Sequence, residues 1–392
     1  MGIRAWWLAV IVVGLVNSAS QAQTTSEDGF RSLLDGKSLS GWVQVNTAPS
    51  TWSMQDGLLV CSGKPIGEIR TEKMYQNFIM EIEWRHMLPK GNAGIFIWAD
   101  DITARGQPFH RGIEVQVLEN AYGDGQGHTT HGDIFPIHGA TMVPINGRGG
   151  ARSGRAFPTD KRSKPSPEWN HYRIDCNDGD ISLAVNGQQV TRGKECSPRK
   201  GYICLESEGG VVHYRNIRIK ELPDTPVAPE HVAISNRGYR SLYTGVDLSG
   251  WKLSDSATGA WSPRDWVLKF EGNSATGDRA LTTEESFGDV GFIIDFRFAK
   301  DSRHLNIALR GSVTAALHIE ADSPEIAKLL TARGQWNRLE GTVRGNSLTA
   351  SLNGQAWITS RPLENLPSQG TLRIEPEGTI DLANIYVRQL AP

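Results

Sequence analysis

The 392 residues include only four cysteines: Cys61, Cys176, Cys196 and Cys204. None of them forms a CxxC metal pair, and a chain this long builds a core without disulfide staples. A Cys176–Cys196 bridge and buried free thiols both stay open. Neither sign of charge is in excess. Lys+Arg 41 against Asp+Glu 43 leaves −2, which excludes a strongly basic nucleic-acid binder, so no nucleic-acid partner is expected. Beyond the N-terminus no apolar run is long enough to span a membrane. Helical periodicity is scarce too, with residues 324–332 reading as one brief helix.

The chain opens on an export signal. Arg4 precedes an apolar run over residues 5–16, and Ser20-Gln21-Ala22 offers small residues where a signal peptidase reads. The run is shorter than the roughly 20 residues of a spanning helix. Residues 1–22 are therefore expected to be cleaved, leaving a secreted or periplasmic protein with no membrane span.

The remainder is rich in turns and tryptophan, with Gly 42, Pro 19 and Trp 12. Residues 78–86 alternate, with Met80, Ile82 and Trp84 on one face and Glu81, Glu83 and Arg85 on the other. Residues 94–98, 113–118 and 203–208 alternate likewise, and residues 181–190 carry Asn186-Gly187 between apolar runs, a strong hairpin signal. Many short strands with glycine-rich turns predict an all-β protein built of β-sandwiches.

The chain also repeats itself. FRSLLDGKSLSGW (30–42) returns as YRSLYTGVDLSGW (239–251), Trp169-Asn170 as Trp336-Asn337, Asn186-Gly187-Gln188 as Asn353-Gly354-Gln355, and residues 201–222 as 370–390. This predicts two tandem domains, 23–222 and 239–392, joined by a proline-rich linker over 223–238. The second copy is 42 residues shorter between its matching tryptophans, Trp251 and Trp336 against Trp42 and Trp169, and the missing stretch lies between roughly residues 99 and 168. That stretch carries RGIEVQVLEN (111–120), HTTHGDIFPIHGA (128–140) and NGRGGARSGR (146–155). A framework that survives without it is read as structural, and the insert as functional.

The candidate site residues follow. Glu114 and Gln116 share one face of an apolar-backed strand, Glu83 and Arg85 share another, and Trp98 lies on a third. If these faces coincide they make a polar cleft with an aromatic floor, suited to a sugar. His128, His131 and His138 surround Asp133. His128, His131 and Asp133 suit a divalent cation, and His131 equally suits proton transfer. Gly127 and Gly132 place the group on a loop. Arg148, Arg152 and Arg155 sit among glycines as a lid over substrate or as a solvated loop. Glu206 and Glu208 lie opposite Ile203 and Leu205, facing the cleft or a structural cation.

FRSLLDGKSLSGW, IMEIEWR before NAGIFIW, GIEVQVLEN, EWN at 168–170, the NGQ hairpin and GYICLESEGGVVHYRNIRIKEL together resemble the 3-keto-disaccharide hydrolase family, also described as 3-keto-glucoside 1,2-lyase/3-keto-2-hydroxyglucal hydratase. The resemblance covers about 30–222 well and 239–390 weakly, as a degenerate second copy. It implies concanavalin-like jelly-roll domains, export and a carbohydrate substrate: a glycoside oxidised at C3. The ketone acidifies the C2 proton, so a base, an enolate stabiliser and an acid for the leaving group are required. Glu114 is then the expected base, His131 or Asp133 the acid or metal ligand, and Arg85 the positioning group. Gln116, Glu83, Trp98, Arg148 and Glu206 would contact substrate. A carbohydrate-binding protein without turnover and an ordinary two-carboxylate glycosidase are the alternatives. The second copy either binds glycan or braces the first.

Overall fold

The computed structural model describes residues 28–122, 131–147, 154–272 and 277–391. The expected signal at 1–22 lies outside them, as do His128, Arg148 and Arg152. Among the described residues the chain is all-β, with four antiparallel sheets stacked as two sandwiches. Among the described residues no helix is long and apolar enough to cross a membrane. Residues 324–332 form hydrogen-bonded turns, with Ala327 N–H donating to the Ser323 carbonyl, rather than a continuous helix.

In the first sandwich one sheet runs in the order Thr141–Pro144, Gln188–Ser197, Asp180–Val185, Asn170–Asn177, Phe78–His86, Val212–Glu221, Leu58–Cys61 and Trp52–Gln55, with Arg31–Ser32 added beside Val212–Glu221. The facing sheet runs Trp42–Val45, Gly67–Thr71, Tyr202–Ser207, Gly94–Ala99, Gly112–Gln116 and Ile134–Ile137. Phe78–His86 alternates strictly between buried and half-buried positions, as a strand with one face on the core must. Asn186 and Gly187 take φ of 49° and 87°, the left-handed pair that a two-residue hairpin turn needs.

Ile69, Ile82, Ile95, Trp98, Val115 and Leu205 belong to the core between these sheets. Part of the 99–168 stretch joins them: Ile113, Val117, Ile134, Met142 and Ala156 are buried in the same cluster. The stretch is therefore part of the core of this sandwich as well as a carrier of polar residues. Its apolar residues close one end of the sandwich while its polar residues face away.

The second sandwich stacks a sheet of Trp261–Arg264, Val267–Phe270, Ile380–Gln389, Val290–Phe298, Asn337–Arg344, Ser347–Leu352 and Gln355–Pro362, with Arg240–Ser241 beside Ile380–Gln389, on a sheet of Trp251–Leu253, Leu281–Phe287, Gly370–Glu377, His304–Leu309 and Ser312–Glu320. Its core is separate. Trp42 Nε1 donates to the Leu33 carbonyl at 2.8 Å, and Trp251 Nε1 to the Leu242 carbonyl at 2.8 Å. All four cysteines are buried free thiols. Residues 223–238 contain one short turn, Pro229–His231, and pack back on the first sandwich, where Arg237 pairs with Asp101 at 2.6 Å.

The sandwiches meet through the loop between Gly94–Ala99 and Gly112–Gln116. Thr103 Oγ1 lies 2.8 Å from Tyr386 Oη and donates to Asn384 Oδ1 at 2.8 Å. Gly106 N–H donates to Asp295 Oδ2 at 2.7 Å, and Arg338, paired with Asp295, also reaches the Thr103 carbonyl. Gly106 has φ of +66°, and a Cβ there would run into the Trp336 ring. Val45, Ile102, Ile293 and Tyr386 complete the contact as an apolar cluster.

Candidate active site

The face of the six-stranded sheet turned away from the core is acidic. The register pairs Glu206 with Glu68 and Phe96 with Glu114. At the centre stands Gly94. A Cβ on it would lie 2.8 Å from Glu114 Oε1 and 2.9 Å from Glu206 Oε2, so the two carboxylates crowd over one point where the strand has no side chain. Glu206 Oε2 is buried with no hydrogen-bond partner among the described residues. Glu208 extends the group and accepts from Asn92 Nδ2. Asn92 Oδ1 in turn accepts from Gln116 Nε2 at 2.9 Å.

Burial is the main force on these acids. It pushes Glu114 well above the ordinary carboxylate range, aided by the negative charge of Glu208, while Arg155 pulls it down. It raises Glu206 well above that range too, with Glu114 and Glu208 adding repulsion. Glu208 is pushed up to about 7 by burial. Three interacting carboxyls, two buried and Glu208 half-buried, do not all ionise at neutral pH, so they hold protons in common. Arg155 opposes the rise at Glu114 without cancelling it. Its guanidinium is fixed by Asp133 Oδ2 at 3.0 Å and by the Phe135 ring, 3.4 Å from the centroid. Tyr122, 38% exposed, feels Glu208 and Glu206 and puts an aromatic ring beside the acids. This arrangement can take a proton from one position and give one at another.

The family model of the 3-keto-alpha-glucoside-1,2-lyase-like domain matches residues 29–220. Residues 29–220 thus form a 3-keto-alpha-glucoside-1,2-lyase-like domain. In general terms this lyase-like domain is a carbohydrate-acting hydrolase or lyase. Two crystal structures of candidate glycosyl hydrolases from Parabacteroides distasonis are similar to it. One is 22% identical, covering 51% of this chain and 99% of that one with a TM-score of 0.39. The other is 23% identical, covering 49% and 99% with a TM-score of 0.37. A carbohydrate-binding module from Bacillus subtilis is 10% identical, covering 46% and 96% with a TM-score of 0.32. No curated protein matches the chain.

Within the lyase-like domain, Glu114, Gln116 and Glu206 meet, and Asp133 joins them through Arg155. Other expected site residues lie elsewhere. Glu83 and Arg85 sit on the outer face of the opposite sheet. Glu83 pairs with Arg215 at 2.7 Å and accepts from Asn216, and Arg85 lies over Trp169 and contacts His213. Alternation shows which residues share a strand face, but not which sheet the strand joins. Trp98 is buried in the core and donates from Nε1 to the Gln76 carbonyl at 2.9 Å. Its φ of 55°, beside a register shift between Gly94–Ala99 and Tyr202–Ser207, breaks the alternation that put it on the acidic face.

His131 is buried beside Lys161 and Glu119, and is pushed down to about 4, first by burial. Burial thus favours its neutral imidazole. Asp133 is spent on Arg155. No metal-ligating group joins His131 and Asp133 among the described residues. His138 lies near enough to His110 to be influenced by its charge. Asn92, Glu68 and Tyr122 had no signal in the sequence beyond polarity. Gly94 ahead of an alternating apolar run was the one local hint.

Proposed function

We propose that this protein cleaves 3-keto-glycosides by elimination followed by hydration, at Glu114, Glu206 and Glu208. The observation that carries this reading is the convergence of Glu114 and Glu206 over Gly94. In the elimination the carboxylate form of Glu114, the form that Arg155 favours, takes the C2 proton made acidic by the C3 ketone. The C1–O bond breaks, its electron pair stays on the leaving oxygen, and Glu206 or Glu208 supplies the proton that neutralises it. In the hydration water adds at C1 of the enone and gives one proton to the carboxylate left on Glu206 or Glu208, while the proton held by Glu114 returns to C2. The net change is hydrolysis. Glu208, titrating near neutrality, suits a group that gives and regains a proton each turnover. Tyr122 offers a sugar C–H face a ring to stack on.

A retaining glycosidase would also use two close carboxylates, and the pair over Gly94 favours that as the second reading. The test is to incubate the full chain with a 3-keto-glucoside and with the same unoxidised glucoside, and to follow both by chromatography. Loss of the keto-sugar alone is expected. Equal cleavage of the unoxidised sugar would replace the elimination scheme with the glycosidase one. Binding without turnover of either would leave a carbohydrate-binding protein.

A further inference from the structure

Beside the three acids lies a second buried group that the reaction above does not use. Glu68 comes from Gly67–Thr71, Cys204 from Tyr202–Ser207 and His110 from the loop before Gly112–Gln116. Each presents one donor atom, and the three atoms lie within 4.8 Å of one another. His110 Nδ1 contacts Glu68 Oε2 and lies 3.9 Å from Cys204 Sγ, and the His110 backbone N–H donates to the same carboxylate oxygen at 2.8 Å. All three side chains are fully buried. Glu68 Oε1 and His110 Nε2 have no hydrogen-bond partner among the described residues.

A buried carboxylate oxygen without a donor has lost its hydration and gained nothing in return. A cation among the three donors removes that deficit. Thiolate sulfur, imidazole nitrogen and carboxylate oxygen together are the donors of Zn2+, whereas Mg2+ and Ca2+ select oxygen. The donors are also held in place. Cys204 and Glu68 stand on neighbouring strands, and the loop carrying His110 is pinned to the second sandwich by Thr103 and Gly106. We propose that Glu68, His110 and Cys204 form a site for a Zn2+-type divalent cation. Three protein donors are the number found in zinc sites that keep one position open. Because Glu68 acts on both Glu114 and Glu206, the cation would offset part of the negative charge they feel.

The test needs no sugar. The full chain is stripped with chelator, titrated with Co2+ and followed by absorption. One equivalent should give a sulfur-to-cobalt charge-transfer band that Zn2+ displaces. Cys204→Ser should abolish the band, His110→Gln should weaken affinity about tenfold or more, and Cys196→Ser should keep the band. X-ray absorption at the zinc edge of the wild-type chain needs no variant and should show one sulfur at about 2.3 Å. Absence of binding, a cobalt spectrum without a sulfur band, a band that survives Cys204→Ser, or a zinc edge with only nitrogen and oxygen neighbours would each overturn the proposal.

Discussion

The acidic sheet of the first sandwich and the five-stranded sheet of the second share a strand order, yet their outer faces treat charge in opposite ways. Leu205 pairs with Ile95 and Ile95 with Val115; in the second sandwich Ile374 pairs with Ile307 and Ile307 with Leu317. These registers put Glu375 where Glu206 stands, Asn306 where Gly94 stands and Ala316 where Glu114 stands. Glu377 follows Glu375 as Glu208 follows Glu206. On the second face each acid has a cation. Arg373 pairs with Asp278 at 2.7 Å and with Glu375 at 3.5 Å, while Glu377 meets Arg303 at 3.1 Å and His304 at 3.2 Å. On the first face Glu114 and Glu206 are buried with Glu208 half-buried beside them, and Arg155 is the cation acting on Glu114. The same strand plan therefore carries a satisfied surface in one half and a strained acidic centre in the other. Unpaired buried acids raise free energy, which is the mark of residues kept for chemistry.

The largest expected effect separates the two faces directly. Glu114→Gln should lower turnover of a 3-keto-glucoside by about 10³-fold, while Glu375→Gln leaves it unchanged in the same assay. Comparable losses from both would end the contrast.

Next is Gly94→Ala. Its φ is not in the left-handed region, and the nearest atoms to the new methyl are the carboxylate ends of Glu114 and Glu206. Turnover should fall about 10²-fold through displacement of the carboxylates, with little change in melting temperature by calorimetry. A large drop in melting temperature would mean that the gap over Gly94 serves packing.

The pH dependence of stability is the third test. A carboxyl raised to about 7 binds more protons in the folded state than in the unfolded one, so its contribution to stability falls as pH rises from about 4.5 to 7. Denaturant melts across that window should lose part of the downward slope in Glu208→Gln. An unchanged slope would remove Glu208 from the shared-proton group. The smallest effect is expected on the second face, where Arg373→Gln breaks a partly exposed pair and should cost about 0.5 kcal/mol in the same melts.

Much of this frame was legible in the sequence because period-two alternation is a local property. Phe78–His86 and the Asn186-Gly187 turn follow from neighbours alone. Glu114 was legible for the same reason: apolar Ile113 and Val115 flank it, so it must face away from the core. Trp98 was misplaced because one positive φ reverses a face. Glu83 and Arg85 were misplaced because sheet membership is decided by partners far along the chain. The grouping of Glu206 with Glu114 depends on two strands about ninety residues apart lying either side of Gly94, which no local pattern encodes. The His110 loop is held by Asp295 and Tyr386, nearly two hundred residues or more away.

That long-range grip gives the second half a task that needs no ligand of its own. Thr103 and Gly106 sit on the segment joining the strand of Gly94 to the strand of Glu114, and their anchors belong to the other sandwich. Pulling the halves apart would slacken the tether behind both strands, and the acids would drift even though every residue around them was intact. The half without unpaired acids is thus the anvil against which the reactive half is kept in shape.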